Sequence, residues 1–158
     1  MMKHEEILAW PREFAVPLES AYRLWRDGAL GAAQSQLDEA LGRAEAAGHT
    51  TGQLAARHLL GNLAYDQGNF AAAHQIHADV LDRCLALDFP VGVASSFHNL
   101  GLVAARQGDL SAAHTWIGEA IRIYEQLGRV ECMAAAQSNL AHLGDNPARS
   151  TGGDGDDG

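Results

Sequence analysis

Aromatic residues are scarce, lysine is nearly absent, and no apolar run approaches the length of a membrane span. Phe, Trp and Tyr supply only 6% of the 158 residues, so the 47% that is hydrophobic comes mostly from Ala, Leu, Val and Ile. Side chains of that size suit helices that approach one another closely. A spanning helix needs about 20 consecutive apolar residues, and none occur. The charged stretch 1–6 lacks the apolar core of a secretory leader. Cysteine is limited to Cys84 and Cys132, without the spacing of a metal site or a disulfide framework. The expected setting is soluble and cytoplasmic, with free thiols. HExxH, CxxC, the Gly-x-Ser-x-Gly elbow and a phosphate-binding Gly loop are all missing, so neither an enzyme nor a cofactor is expected.

Positive charge is also in short supply. Twenty acidic residues face 11 basic ones, a formal net charge of −9. Such a surface repels phosphate backbones, so nucleic acid and anionic membrane are not expected as partners. Lys3 is the sole lysine beside ten arginines; with abundant Ala and Gly, this usage suggests a high-GC bacterial source. Residues 145–158 hold four Asp, one Arg and almost nothing apolar. They are expected to be a disordered acidic tail.

What the chain does contain is a period of forty. It is best preserved over 60–73 (LGNLAYDQGNFAAA), which reads as a helix end, a turn at Gly68 and a second helix start. Gly28, Gly68 and Gly108 are equally spaced, as are Leu30, Phe70 and Leu110, and the Ala pairs at 32–33, 72–73 and 112–113. Leu60, Leu100 and Leu140 recur on the preceding helices, while Gly48, Asp88 and Gly128 mark a second turn in each unit. Gly61 and Gly101 fall inside helices, where Gly costs about 1 kcal/mol relative to Ala. A neighbouring helix that needs the room would account for both.

The pattern predicts seven helices, over 17–27, 29–47, 51–67, 70–87, 90–107, 110–127 and 130–143. Pro11 and Pro17 restrict the residues before them, so residues 1–16, with Ile7, Leu8 and Trp10, are expected to be a capping segment. A tethered segment folding back into a groove is the alternative. Residues 17–144 form an all-α solenoid of antiparallel helix pairs, about 3.5 repeats long.

Leu60-Gly61, Gly68, Phe70 and Ala73 resemble the tetratricopeptide repeat signature, and Leu100-Gly101, Gly108, Leu110 and Ala113 match it with Leu for the aromatic. The first unit keeps Gly28, Leu30 and Ala33 but has Ser20-Ala21 in place of Leu-Gly. The Trp and Pro positions of the 34-residue form are not filled. The forty-residue length, with Asn99-Leu100-Gly101 and Asn139-Leu140-Ala141, is similar to the longer subclass found in Leu-Gly-Asn repeat adaptors, kinesin light chains and bacterial regulatory proteins.

The resemblance implies a concave groove lined by the first helix of each pair, a TPR-like superhelix. Mapped here, that face takes Trp25 and Arg26, then His58, Asn62, Tyr65 and Asp66. Ser95, His98, Asn99 and Arg106 follow, and Ser138, Asn139 and His142 complete it. His58 and His98 are forty apart, as are Asn99 and Asn139, while Arg26, Asp66 and Arg106 form a third column. Amide, imidazole and guanidinium columns can hydrogen-bond an extended peptide; ordinary solvated polar residues would give the same pattern.

Other candidates carry less. His74 and His77 stand three apart and His114 repeats His74. Packed helices lie about 8–10 Å apart, so equivalent histidines do not converge by themselves, and no metal site is expected. His74 and His114 should face solvent or a neighbouring outer helix, and Cys84 should be core. Cys132 aligns with Gly52 and Gly92 near a helix start. There a dipole-activated thiol and a small residue at a tight turn explain it equally. The last helix is apolar through Met133, Ala134, Ala135, Ala136, Leu140 and Leu143 and lacks an outer partner. A second copy of the chain, residues 1–15 or another protein could cover it. The function implied is a protein-interaction adaptor that binds an extended peptide; the alternative is a regulatory sensor that changes conformation on binding a peptide or small ligand.

Overall fold

Helices of seventeen residues separated by three-residue turns account for most of the chain. The computed structural model describes residues 12–143. Its helices are α1 (Arg12–Arg26), α2 (Leu30–Ala46), α3 (Thr50–Asp66), α4 (Phe70–Ala86), α5 (Pro90–Arg106), α6 (Leu110–Gln126) and α7 (Val130–Ala141). Each packs against the next in sequence; α1 also touches α3, and α3 touches α5. No comparable contact joins α2, α4 and α6. The odd helices therefore lie on the inside of the curve and the even helices on the outside, three pairs and one unpaired helix.

Punctuation by turns explains the even spacing. Gly28, Gly48, Gly68, Gly108 and Gly128 all adopt positive φ, and Asp88 takes the same role at φ 49°. At the next helix start, the side chains of Asn69 and Asp109 accept from the N–H of Ala72 and Ala112, at 3.2 and 2.9 Å. These caps satisfy donors that the first helical turn leaves unpaired.

Packing explains the two helical glycines. A Cβ on Gly61 would lie 2.6 Å from His77 Cε1, and one on Gly101 would lie 2.5 Å from Ile117 Cγ1. Each outer helix lays a large side chain over the inner helix where that helix has none. Ala33, Ala73 and Ala113, the first alanines of the three outer helices to be fully buried, are packed in the same seams. Cys84 is buried as expected, and His74 and His114 are exposed. His77, three residues from His74, is instead 1% exposed.

The first helix differs from expectation at its start. It begins at Arg12 rather than at 17, with Phe14 and Ala15 buried and Pro17 inside it. Proline lacks the N–H that would bond the carbonyl four residues earlier, here that of Glu13. The Arg43 guanidinium of α2 donates to that carbonyl at 3.3 Å, and Phe14 stacks on His49, with ring centroids 4.7 Å apart. Partners from α2 and the following turn thus compensate the break. The remaining boundaries fall within two residues of those predicted. Of the proposed cap, residues 1–11 lie outside the described residues, as does the acidic tail at 145–158. On α7, Ala136 is buried and Met133 and Leu140 are half-buried, while Ala134 and Ala135 are exposed and Val130 is 66% exposed.

Candidate binding groove

The inside of the curve is built from the odd helices, and most of its polar side chains are engaged with one another. Trp25 Nε1 donates to Asp66 Oδ2 at 2.7 Å. Asn99 Nδ2 meets His58 Nδ1 at 3.5 Å, and Asn139 Nδ2 meets His98 Nε2 at 2.8 Å. Arg106 lies over the Tyr65 ring, 5.5 Å from its centroid, and over Phe70 at 4.9 Å. Tyr65 and Phe70 meet edge to face at 5.5 Å. In the four pairs that join one odd helix to the next, residue i meets residue i+41. A repeat of forty with a one-residue stagger thus interleaves the His and Asn columns into rungs.

Burial and these rungs set the charge of the imidazoles. The pKa of His58 is lowered to about 4, first by burial and then by neighbouring charge including His98. That of His98 is also lowered, mainly by burial. Both rings stay neutral at ordinary pH, so their bonded nitrogens can accept from the Asn amides. His77 sits edge-on to His58, with centroids 5.7 Å apart. Burial, followed by His58 and His74, lowers its pKa to about 3.

The other candidates stand apart from the rungs. Arg26 is exposed and pairs only loosely with Asp27, at 3.7 Å. Asn62 is half-buried beside the rungs. His142 Nδ1 turns back to the Ser138 carbonyl of its own helix at 2.6 Å. Ser95 is not on a rung: it hydrogen-bonds the Tyr124 hydroxyl, which burial pushes up to about 12.

Ser95 belongs to a feature that periodic reading passes over. A cavity of about 380 Å³ opens toward the N-terminal halves of α3 and α5. Leu18 and Tyr22 of α1, Leu54 and His58 of α3, and Val80 and Cys84 of α4 form one side of it. Phe89, Val91 and Ser95, with Tyr124, Arg129 and Cys132, form the other. Its distinctive residues depart from the repeat: Tyr22 stands where Asn62 and Leu102 do, Tyr124 where Ala44 and Cys84 do, and Arg129 where His49 and Phe89 do. Those mismatches are the signal that a search for coincidences discards. Among the described residues, no group of three His, Cys, Asp or Glu side chains is placed to hold a metal ion.

Among the described residues, no helix is long and apolar enough to cross a membrane. No curated protein matches the chain. The family model described as tetratricopeptide repeat matches residues 53–87 and 93–127, which cover most of the α3–α4 and α5–α6 pairs. Repeats of this kind generally act as protein-interaction scaffolds rather than enzymes, and their stacked pairs form concave binding surfaces. The two matched stretches, within an unbroken stack of antiparallel helix pairs, identify the α3–α4 and α5–α6 pairs as tetratricopeptide repeats.

Proposed function

We propose that the chain is an adaptor that holds an extended, acidic segment of another protein along the face formed by α1, α3, α5 and α7. The observation that supports it most is Arg106. Its guanidinium is exposed and held over two aromatic rings, so its position is fixed before a ligand arrives. It forms no ion pair with any described residue, which leaves its N–H donors available to a carboxylate. Arg26, at the equivalent end of α1, offers a second cation, and Asn62 an amide between them. The rungs hold the helices that carry these groups in register and lower the ordering cost of binding.

Selection of a random peptide library against the chain, followed by polarisation titrations, tests this reading. The selected peptides should be rich in Asp and Glu. Losing one charge-assisted contact should weaken them roughly tenfold in Arg106→Ala and by less in Arg26→Ala. Unchanged affinity in both variants would overturn the groove assignment.

A further inference from the structure

The cavity at the N-terminal ends of α3 and α5 has a chemistry of its own. Most of its wall is apolar, with Leu18, Leu54, Val80, Phe89 and Val91 contributing. No acidic side chain lines it, although the chain carries a net charge of −9. Its charged lining residue is Arg129, at its α6–α7 end. Arg129 is exposed and forms no ion pair with any described residue. Tyr124 and Ser95 stand beside it, close enough for the Arg129 charge to act on the phenol. At the α1 end, the Tyr22 hydroxyl is shielded from solvent and has no hydrogen-bond partner. Buried donors in native proteins are nearly always satisfied, and an orphaned one on a cavity wall marks a place for a ligand oxygen or an ordered water.

The two turns that supply Phe89 and Arg129 to the wall also carry exposed apolar side chains. Leu85, Leu87 and Phe89 near the α4–α5 turn are 56%, 52% and 40% exposed, and Leu127 and Val130 near the α6–α7 turn are 40% and 66% exposed. An apolar chamber with a few convergent polar groups and a volume of this order is the usual form of a small-molecule site.

We propose that this cavity binds a small apolar carboxylic acid, with its hydrocarbon body among Leu18, Leu54 and Val80 and its carboxylate at Arg129. A cation is disfavoured by Arg129 and finds no carboxylate in the wall. A neutral hydrocarbon would leave the Arg129 guanidinium and the Tyr22 hydroxyl without a partner. Apart from His58, which lines the cavity and also meets Asn99, the polar rungs use residues outside its wall, so the inference goes beyond the peptide-groove reading and is tested separately from it.

Calorimetric titration of the full chain with decanoate, octanoate, 1-octanol and octylamine tests it. Decanoate should bind saturably, one per chain, and raise the Tm; octanoate should bind more weakly because it buries fewer methylenes. Octanol should bind roughly tenfold or more weaker than octanoate for want of the charged contact, and octylamine should not bind. Arg129→Gln should remove the preference for octanoate over octanol. Ser95→Leu, which fills the polar end, should abolish decanoate binding. Non-saturable binding with a falling Tm, equal affinity for octanol and octanoate, or full decanoate affinity in a folded Arg129→Gln variant would overturn the proposal. Peptide affinity unchanged by saturating decanoate would show that the two sites are separate, while decanoate displaced stoichiometrically by a groove peptide would overturn the placement in this cavity.

Discussion

The α3–α4 and α5–α6 pairs are two solutions to one packing problem within a single chain. In both, a helical glycine of the inner helix receives a large side chain from the outer helix. Gly101 receives Ile117, which is fully buried and fits an apolar seam. Gly61 receives His77, also buried, whose Nδ1 has no hydrogen-bond partner. The turn that follows the outer helix is closed by Gly128 in one pair and by Asp88 in the other, both at positive φ. The α3–α4 pair is the better match to the family signature, yet it carries both compromises. Signature residues fix the geometry of a repeat, and they leave open how well its seam is filled.

Gly101→Ala should break the better-packed seam. The added carbon would lie 2.5 Å from Ile117 Cγ1 and 3.1 Å from the Ala113 carbonyl oxygen. The ring or chain end of a flexible residue can swing away, but a helix carbonyl cannot. Overpacking should outweigh the helix-propensity gain and cost about 2–3 kcal/mol, read by urea denaturation. Gly61→Ala should cost less, because the nearest atoms it meets belong to the His77 ring.

His77→Ile should convert one seam into the other. It removes an unsatisfied buried nitrogen, a gain of about 1–3 kcal/mol, against the loss of an edge contact with His58 worth about 0.5–1.5 kcal/mol. The variant should be more stable at neutral pH by about 1 kcal/mol. The pH dependence sharpens the comparison. His58 and His77 titrate near 4 and near 3 in the folded chain, below the unfolded value of about 6.5. Between those limits the unfolded chain binds more protons, so stability is full above pH 6.5 and falls as the pH drops. Each group contributes a slope of up to roughly 1.4 kcal/mol per pH unit. Removing His77 should take away one of these contributions. Denaturation curves at pH 7.5 and 5.0 should therefore diverge less in His77→Ile than in the parent; equal divergence would refute the assignment of acid sensitivity to this seam.

The same contrast shows what the sequence could reveal. Helix number, pairing and turn positions were legible because glycine at a turn and alanine at a crossing are needed at every copy. The inner-face residues were legible as columns, but columns are forty apart and the contacts are forty-one apart. That stagger arises from how the odd helices lean on one another, which no single repeat encodes. His58 and His98 therefore read as parallel donors, whereas each is the acceptor for the Asn of the next helix. The cavity was illegible for the opposite reason. Tyr22, Tyr124 and Arg129 build it by breaking the period, and irregularity carries no weight when regularity is the evidence. At the N-terminus Pro17 read as a barrier, because the Arg43 donor that compensates it lies a helix away.

Asp88 is the smallest lever and the cleanest, since it lies at an exposed turn. A left-handed backbone costs an ordinary residue about 1–2 kcal/mol, and Asp less, because its short polar side chain can hydrogen-bond locally. Glycine removes that strain but raises the entropy of the unfolded chain, worth about 0.4–1 kcal/mol in the other direction. Asp88→Gly should consequently stabilise the chain by about 0.5 kcal/mol or less, while Gly128→Asp should destabilise it by a similar amount. Asp88→Ala decides which term matters. Alanine keeps the Cβ clash and loses the polar compensation, so it should be less stable than the parent by about 0.5–1 kcal/mol. If Asp88→Ala matches the parent in urea midpoint, local hydrogen bonding by Asp88 contributes nothing, and the tolerance of that turn for a non-glycine residue must come from the packing of Leu87 and Phe89 on either side of it.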